Sequence, residues 1–112
     1  MAASGVLTDL GSVTARRLHP LGDGTALVTR LRTPPEAMPI VQILSSQISR
    51  RHASISYRAG GYWIEDHESV NGTWLNDRRL DRPRRLQNGD VVRFYTYEFE
   101  FQATTEMGCR PS

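Results

Sequence analysis

The chain contains no lysine, so all 14 of its basic residues are arginine. Cysteine occurs once, at Cys109, which excludes an internal disulfide and a thiolate zinc cluster. No run approaches the roughly 20 apolar residues that a membrane-spanning helix needs. The opening residues, MAASGVLTDLGS, lack both the basic start and the apolar stretch of a secretory signal. An intracellular setting without membrane contact is the expectation. No window of about twelve residues carries a helical apolar stripe. The nearest, TPPEAMPIV, is interrupted by Pro34, Pro35 and Pro39 and reads as loop. Internal repeats and low-complexity tracts are absent as well. At 112 residues, with 38% hydrophobic and 23% charged, the chain is expected to fold as one domain rather than stay disordered.

What is present is strand after strand. ASISYR alternates, with Ala53, Ile55 and Tyr57 on one face and Ser54, Ser56 and Arg58 on the other. YEFEF sets Tyr97, Phe99 and Phe101 against Glu98 and Glu100. Shorter candidates are GVLTDL, ARRLH, TALVTRL, IVQIL, YWIED, GTWL and DVVRF, and RRLHPLGDGTALVTR reads as strand, turn, strand. Turn chemistry separates them, at Gly22-Asp23-Gly24, Gly60-Gly61, Asn71-Gly72 and Asn88-Gly89-Asp90. Many short strands with regular turns predict an all-β sandwich or barrel, whose binding residues sit on loops at one end. The final residues, 105–112, are polar and are expected to form a flexible tail.

Four kinds of chemistry compete for the polar residues. Ser49, His52 and Asp66 are the residue types of nucleophile, base and orienter. No G-x-S-x-G elbow surrounds Ser49, and His52 stands at the mouth of the ASISYR strand, a place for holding a loop. Glu65-Asp66-His67-Glu68 offers three carboxylates around a histidine, but consecutive residues leaving a strand diverge. His19, His52 and His67 lack ligand spacing, and no metal is expected. NDRRLDRPRRL carries Arg78, Arg79, Arg82, Arg84 and Arg85, diluted by Asp77 and Asp81 and without interleaved aromatics. A charged hairpin guarding a sheet edge explains it as well, and nucleic acid is not the expected partner.

The fourth chemistry is a phosphate cradle. A phosphorylated side chain brings about −1.5 to −2 charges and three acceptor oxygens, which ask for converging donors. Ser49 and Arg50 in SQISRR supply a hydroxyl and a guanidinium, and Arg30 and Arg32 in TRLR supply two more. Asn71 in SVNGTWLN offers an amide able to grip a peptide backbone through donor and acceptor ends alike. Gly72 allows the positive φ that such a turn commonly requires.

The run SRRHASI…YWIEDHESVNGTWLN…RLQNGDVVRF resembles the forkhead-associated (FHA) domain. Ser49-Arg50-Arg51-His52 matches the family's S-x-x-H, Asn71-Gly72-Thr73 with Asn76 matches its N-G-T block, and Asn88-Gly89-Asp90 fits its closing G-D. The likeness runs from about Ile40 to Phe94, within a domain expected over residues 1–104. It implies an FHA-type β-sandwich of about eleven mostly antiparallel strands that binds phosphothreonine in an extended peptide. It implies no enzyme activity and no cofactor. By the resemblance Ser49 donates to a phosphate oxygen, Arg50 flanks the phosphate, and Asn71 holds the peptide backbone on the C-terminal side of the phosphothreonine. Gln47 and Val70 belong to the same loops and join the candidate set. His52, Gly72, Thr73 and Asn76 are implied to be architectural. Where the family has Gly-Arg at the end of the third strand, this sequence has Thr29-Arg30. Arg30 takes that position, or Arg32 if the strand ends two residues later. The resemblance also points to a signalling or DNA-damage assembly and a nuclear more than cytoplasmic location. A degenerate member serving as scaffold or dimerisation surface is the alternative, so homo-oligomerisation stays open.

Overall fold

The two alternating segments found in the sequence pair into different layers of one sandwich. The structure, a computed structural model, describes residues 3–11, 14, 17–22, 24–30 and 39–105. It contains, in order along the sequence, β1 (Ala3–Asp9), β2 (Leu18–Pro20), β3 (Thr25–Thr29), β4 (Ile40–Gln42), β5 (Ala53–Arg58) and β6 (Gly61–Asp66). There follow β7 (Thr73–Leu75), β8 (Arg78–Arg79), β9 (Arg84–Arg85), β10 (Val91–Phe94) and β11 (Tyr97–Thr105). A six-stranded sheet runs β2-β1-β11-β10-β7-β8 and a five-stranded sheet runs β4-β3-β5-β6-β9. All pairings are antiparallel except β3 with β4. Among the described residues there is no helix.

Period-two burial sets which face of each sheet turns inward. Ile55 of β5 lies opposite Ile64 of β6 and Ala26 of β3, and all three are buried. From the other sheet, Leu7 of β1 lies opposite Phe101 of β11, and Val92 of β10 opposite Phe99. These join Leu21, Val28, Val41, Ile43, Ile48 and Phe94 in a single core. Gly5 is needed there, because a Cβ on it would stand 2.7 Å from Cζ of Tyr62.

One expectation is corrected. NDRRLDRPRRL is not a hairpin: β8 pairs with β7 at the edge of one sheet, and β9 pairs with β6 at the edge of the other. One arginine-rich run therefore charges an open edge in each layer. RRLHPLGDGTALVTR does run strand, turn, strand, but its two strands part company: β2 pairs with β1 while β3 sits in the opposite sheet. Of the expected tail, residues 106–112 lie outside the described residues, and Thr105 belongs to β11.

The register decides which loops meet. Val28 is opposite Ala53, Ala53 opposite Asp66, and Phe94 opposite Thr73. The end of β3, the β4–β5 loop, the β6–β7 loop and the β10–β11 turn therefore gather at one end of the sandwich.

Candidate functional site

His52 is fully buried just before β5 and ties two of these loops together. Its Nε2 donates to the carbonyl of Gly72 at 2.8 Å, and its Nδ1 accepts the backbone N–H of Ser49 at 3.1 Å. A carbonyl only accepts and an amide N–H only donates, so this pair of partners requires the neutral ring with its proton on Nε2. Burial holds the pKa of the ring below the ordinary histidine value, against smaller opposing effects of the Gly72 hydrogen bond and the Asp66 charge. The imidazole also stands edge-on to Phe94, with centroids 5.8 Å apart.

The hydroxyl of Ser49 accepts the N–H of Val70 at 3.2 Å, which leaves its own proton free to donate. Both imidazole nitrogens are taken by backbone groups, so this hydroxyl does not meet a general base at His52. Asp66 is likewise occupied: its Oδ1 accepts from the hydroxyls of Ser69 and Thr73, and its Oδ2 from the Ser69 N–H. Ser69 Oγ in turn accepts the Gly72 N–H at 3.0 Å. The nucleophile–base–orienter arrangement is not assembled. Asp66 instead folds the turn that presents Val70 and Asn71.

Arg30 directly follows β3, is half-buried, and donates from Nη1 to the carbonyl of Ile48 at 3.2 Å. The strand ends at Thr29, which puts Arg30 at the rim; Arg32 lies outside the described residues. Ile48 is itself fully buried and anchors the β4–β5 loop in the core. Asn71 donates from Nδ2 to both the carbonyl and Oε1 of Gln47, each at 2.9 Å. The expected two-ended grip is thereby altered: both amide hydrogens face the protein, and Oδ1 remains as the acceptor. Arg30, Ser49, Gln47, Val70 and Asn71 are thus brought together, and Arg50 is exposed on the same loop. Val70 is 82% exposed between Ser49 and Asn71.

Gly72 has φ +87°, a conformation that suits a residue without Cβ. Thr73 is fully buried. Asn76 braces the far end of β7: its Nδ2 donates to Asp90 Oδ1 at 3.0 Å, and its Oδ1 accepts the Val91 N–H at 2.9 Å. The N-G-T block and the G-D element are therefore in direct contact. Residues 36–95 match the family model of the FHA domain. The chain belongs to the FHA-domain family. Its sequence is 38% identical over 63 residues to zeaxanthin epoxidase of Spinacia oleracea, covering 50% of this chain and 9% of that protein. The FHA domain thus spans under a tenth of the length of that curated relative. Its fold superposes on Mycobacterium tuberculosis EmbR in complex with a low-affinity phosphopeptide at TM-score 0.75 and 29% identity, covering 88% of this chain and 24% of that one. A structure solved for phosphothreonine-dependent FHA-domain interactions gives TM-score 0.73 at 23% identity, covering 88% of this chain and 95% of that one, a likeness of fold.

Several residues of this FHA domain's rim escaped the sequence reading. The sequence offers Asp66 as an orienter and as one of three carboxylates around His67, whereas its role in the turn depends on partners three and seven residues away. Ser45 accepts the hydroxyl of Tyr97, which links the β4–β5 loop to the β10–β11 turn. Beside the β6–β7 loop lies a cavity of about 570 Å³ lined by Glu65, Glu68, Asp81 and Arg82 among others. Among the described residues, no group of three histidine, cysteine or acidic side chains is arranged to hold a metal.

Proposed function

We propose that this FHA domain is an interaction module that binds a phosphothreonine within an extended peptide. The observation that carries the reading is that Arg30, Ser49 and Asn71 come from three separate loops and are each hydrogen-bonded into one rim. Ser49 gives its remaining proton to a phosphate oxygen. Arg30 gives the guanidinium N–H groups not spent on Ile48, and Arg50 flanks the phosphate from the same loop. Asn71 Oδ1 accepts a backbone N–H of the ligand, and Gln47, whose Oε1 is held by Asn71, keeps its own amide donors for the ligand. Val70 offers an apolar surface to the threonine methyl, a contact of the order of 0.8 kcal/mol if that carbon is fully buried. The phosphopeptide complex of EmbR, a relative in fold at 29% identity, supports the reading.

The test is capture from a phosphothreonine peptide library, with phosphoserine and unphosphorylated versions alongside. Selective capture of the phosphothreonine set is the expected result. Equal binding or no binding of all three would overturn the reading and favour a scaffold without phosphate recognition.

A further inference from the structure

Beside the phosphate rim stands a cationic cluster to which the proposed contacts assign no task. Trp74 of β7 has Arg79 of β8 and Arg93 of β10 as its cross-strand partners. Their guanidinium carbons lie 5.3 and 4.2 Å from the indole centroid. Because β8 and β10 flank β7 on opposite sides, the ring is clasped by two cations. Arg93 has Glu98 as its partner across β11, yet its Nη1 donates to the carbonyl of Tyr95 at 2.8 Å. Asp77 lies in the turn before Arg79, but neither arginine makes an ion pair among the described residues.

The cluster abuts the ligand-facing turn. A Cβ on Gly72 would meet Cη2 and Cζ3 of Trp74 at 2.8 Å and Cζ of Arg79 at 3.0 Å. Gly72 directly follows Asn71. Its carbonyl accepts the N–H of Tyr95, the residue whose own carbonyl holds Arg93. An extended ligand advances about 3.3 Å per residue, so one lying on Asn71 reaches this shelf within a few residues. Stacking on the indole also limits the rotamer freedom that the guanidiniums would otherwise lose on binding.

We infer that Arg79 and Arg93, mounted on Trp74, form a second anionic subsite that takes an acidic group of the same peptide, either a carboxylate or a second phosphate. This rests on the reading of the domain as a phosphothreonine module. Its source is distinguished by peptides with one phosphothreonine and neutral flanks, into which a glutamate or a second phosphothreonine is placed singly at each neighbouring position. They are titrated against the wild type and against Arg79→Gln, Arg93→Gln and the double variant.

At one or two adjacent positions on one side, glutamate is expected to tighten binding about threefold to fivefold, the scale of an exposed ion pair. The gain is expected to shrink at about 0.5 M salt. It is expected to vanish in the double variant while the neutral-flanked phosphopeptide keeps its affinity. A gain from both acidic groups, or from phosphate alone, supports the subsite and states which source it reads. An undiminished gain in the double variant overturns the inference, as does no gain anywhere while the neutral-flanked phosphopeptide still binds. Failure of every phosphorylated peptide overturns the module reading and this inference together.

Discussion

Replacing His52 with alanine separates architecture from recognition at this rim. The substitution removes the acceptor of the Ser49 N–H and one of two donors to the Gly72 carbonyl, which keeps the Tyr95 N–H at 3.2 Å. One backbone donor is then left unpaired, costing about 1–3 kcal/mol. Loss of a fully buried ring packed on Phe94 adds about 2 kcal/mol of packing and cavity terms. The sum, about 3–5 kcal/mol, corresponds to a fall of about 2 M in the urea midpoint at a slope of about 2 kcal/mol/M.

The acidity of the same ring gives a second readout. Its pKa is lowered in the folded state, chiefly by burial, so the unfolded protein takes up the proton first as pH falls. The stabilisation is complete above the unfolded value of about 6.5 and is lost as pH drops from there through the lowered folded value. Asp66 is the carboxylate that opposes the lowering. Urea unfolding of wild type and His52→Ala at about pH 7.5 and about pH 5.5 isolates this component as the difference between their pH dependences. A variant within about 1 kcal/mol of wild type, or two identical pH dependences, would refute the account of His52 as a neutral brace. A fully stable variant that no longer binds would place His52 in recognition itself.

Other changes divide along the same line. Arg30→Ala removes a charged donor from the rim and is expected to weaken phosphopeptide binding by about 1.5–3 kcal/mol, read by titration calorimetry, while loss of its bond to the Ile48 carbonyl is read separately as a small fall in the urea midpoint. Ser49→Ala is expected to lower affinity by about 1 kcal/mol and to leave the fold intact in a thermal melt. Gly72→Ala forces a Cβ into a left-handed position against Trp74 and Arg79, and is expected to cost at least about 1 kcal/mol of stability and to shift tryptophan fluorescence. Asp66→Ala strips three acceptor contacts from the β6–β7 loop and is expected to lower stability and binding together, measured by urea unfolding and peptide titration.

Where alternation was strong, the fold was legible. Ala53 and Ile55, like Phe99 and Phe101, point inward as their spacing predicts, because a half-buried strand has no other way to hide them. The two-residue strands β8 and β9 carry only arginine, so no period exists to read, and their assignment to opposite sheets is decided by pairing distant in sequence. β3 departs from period two as well: Leu27 and Val28 are both buried, and its parallel partner β4 leaves no local turn signal. At the rim, Ser49 and Asn71 were legible as donor-bearing loop residues and His52 as a residue at a strand mouth, and the resemblance carried by SRRH and NGT singled out the same three. The work of Asp66 in the turn and the clasp of Arg79 and Arg93 on Trp74 depend on register, which a linear string does not display.

The carbonyl of Gly72 receives donors from both sheets' loops, His52 on one side and Tyr95 on the other. The consequence is thermodynamic. Ser49, Asn71 and Arg30 are already held by hydrogen bonds before any ligand arrives, so association forfeits little further conformational entropy at these groups. The heat-capacity change of binding should then track the ligand's own buried surface, without the larger signature of a loop that folds on contact. On the proposed reading, encounter need not wait for such folding, and differences in affinity between related ligands fall mainly on the rate of release.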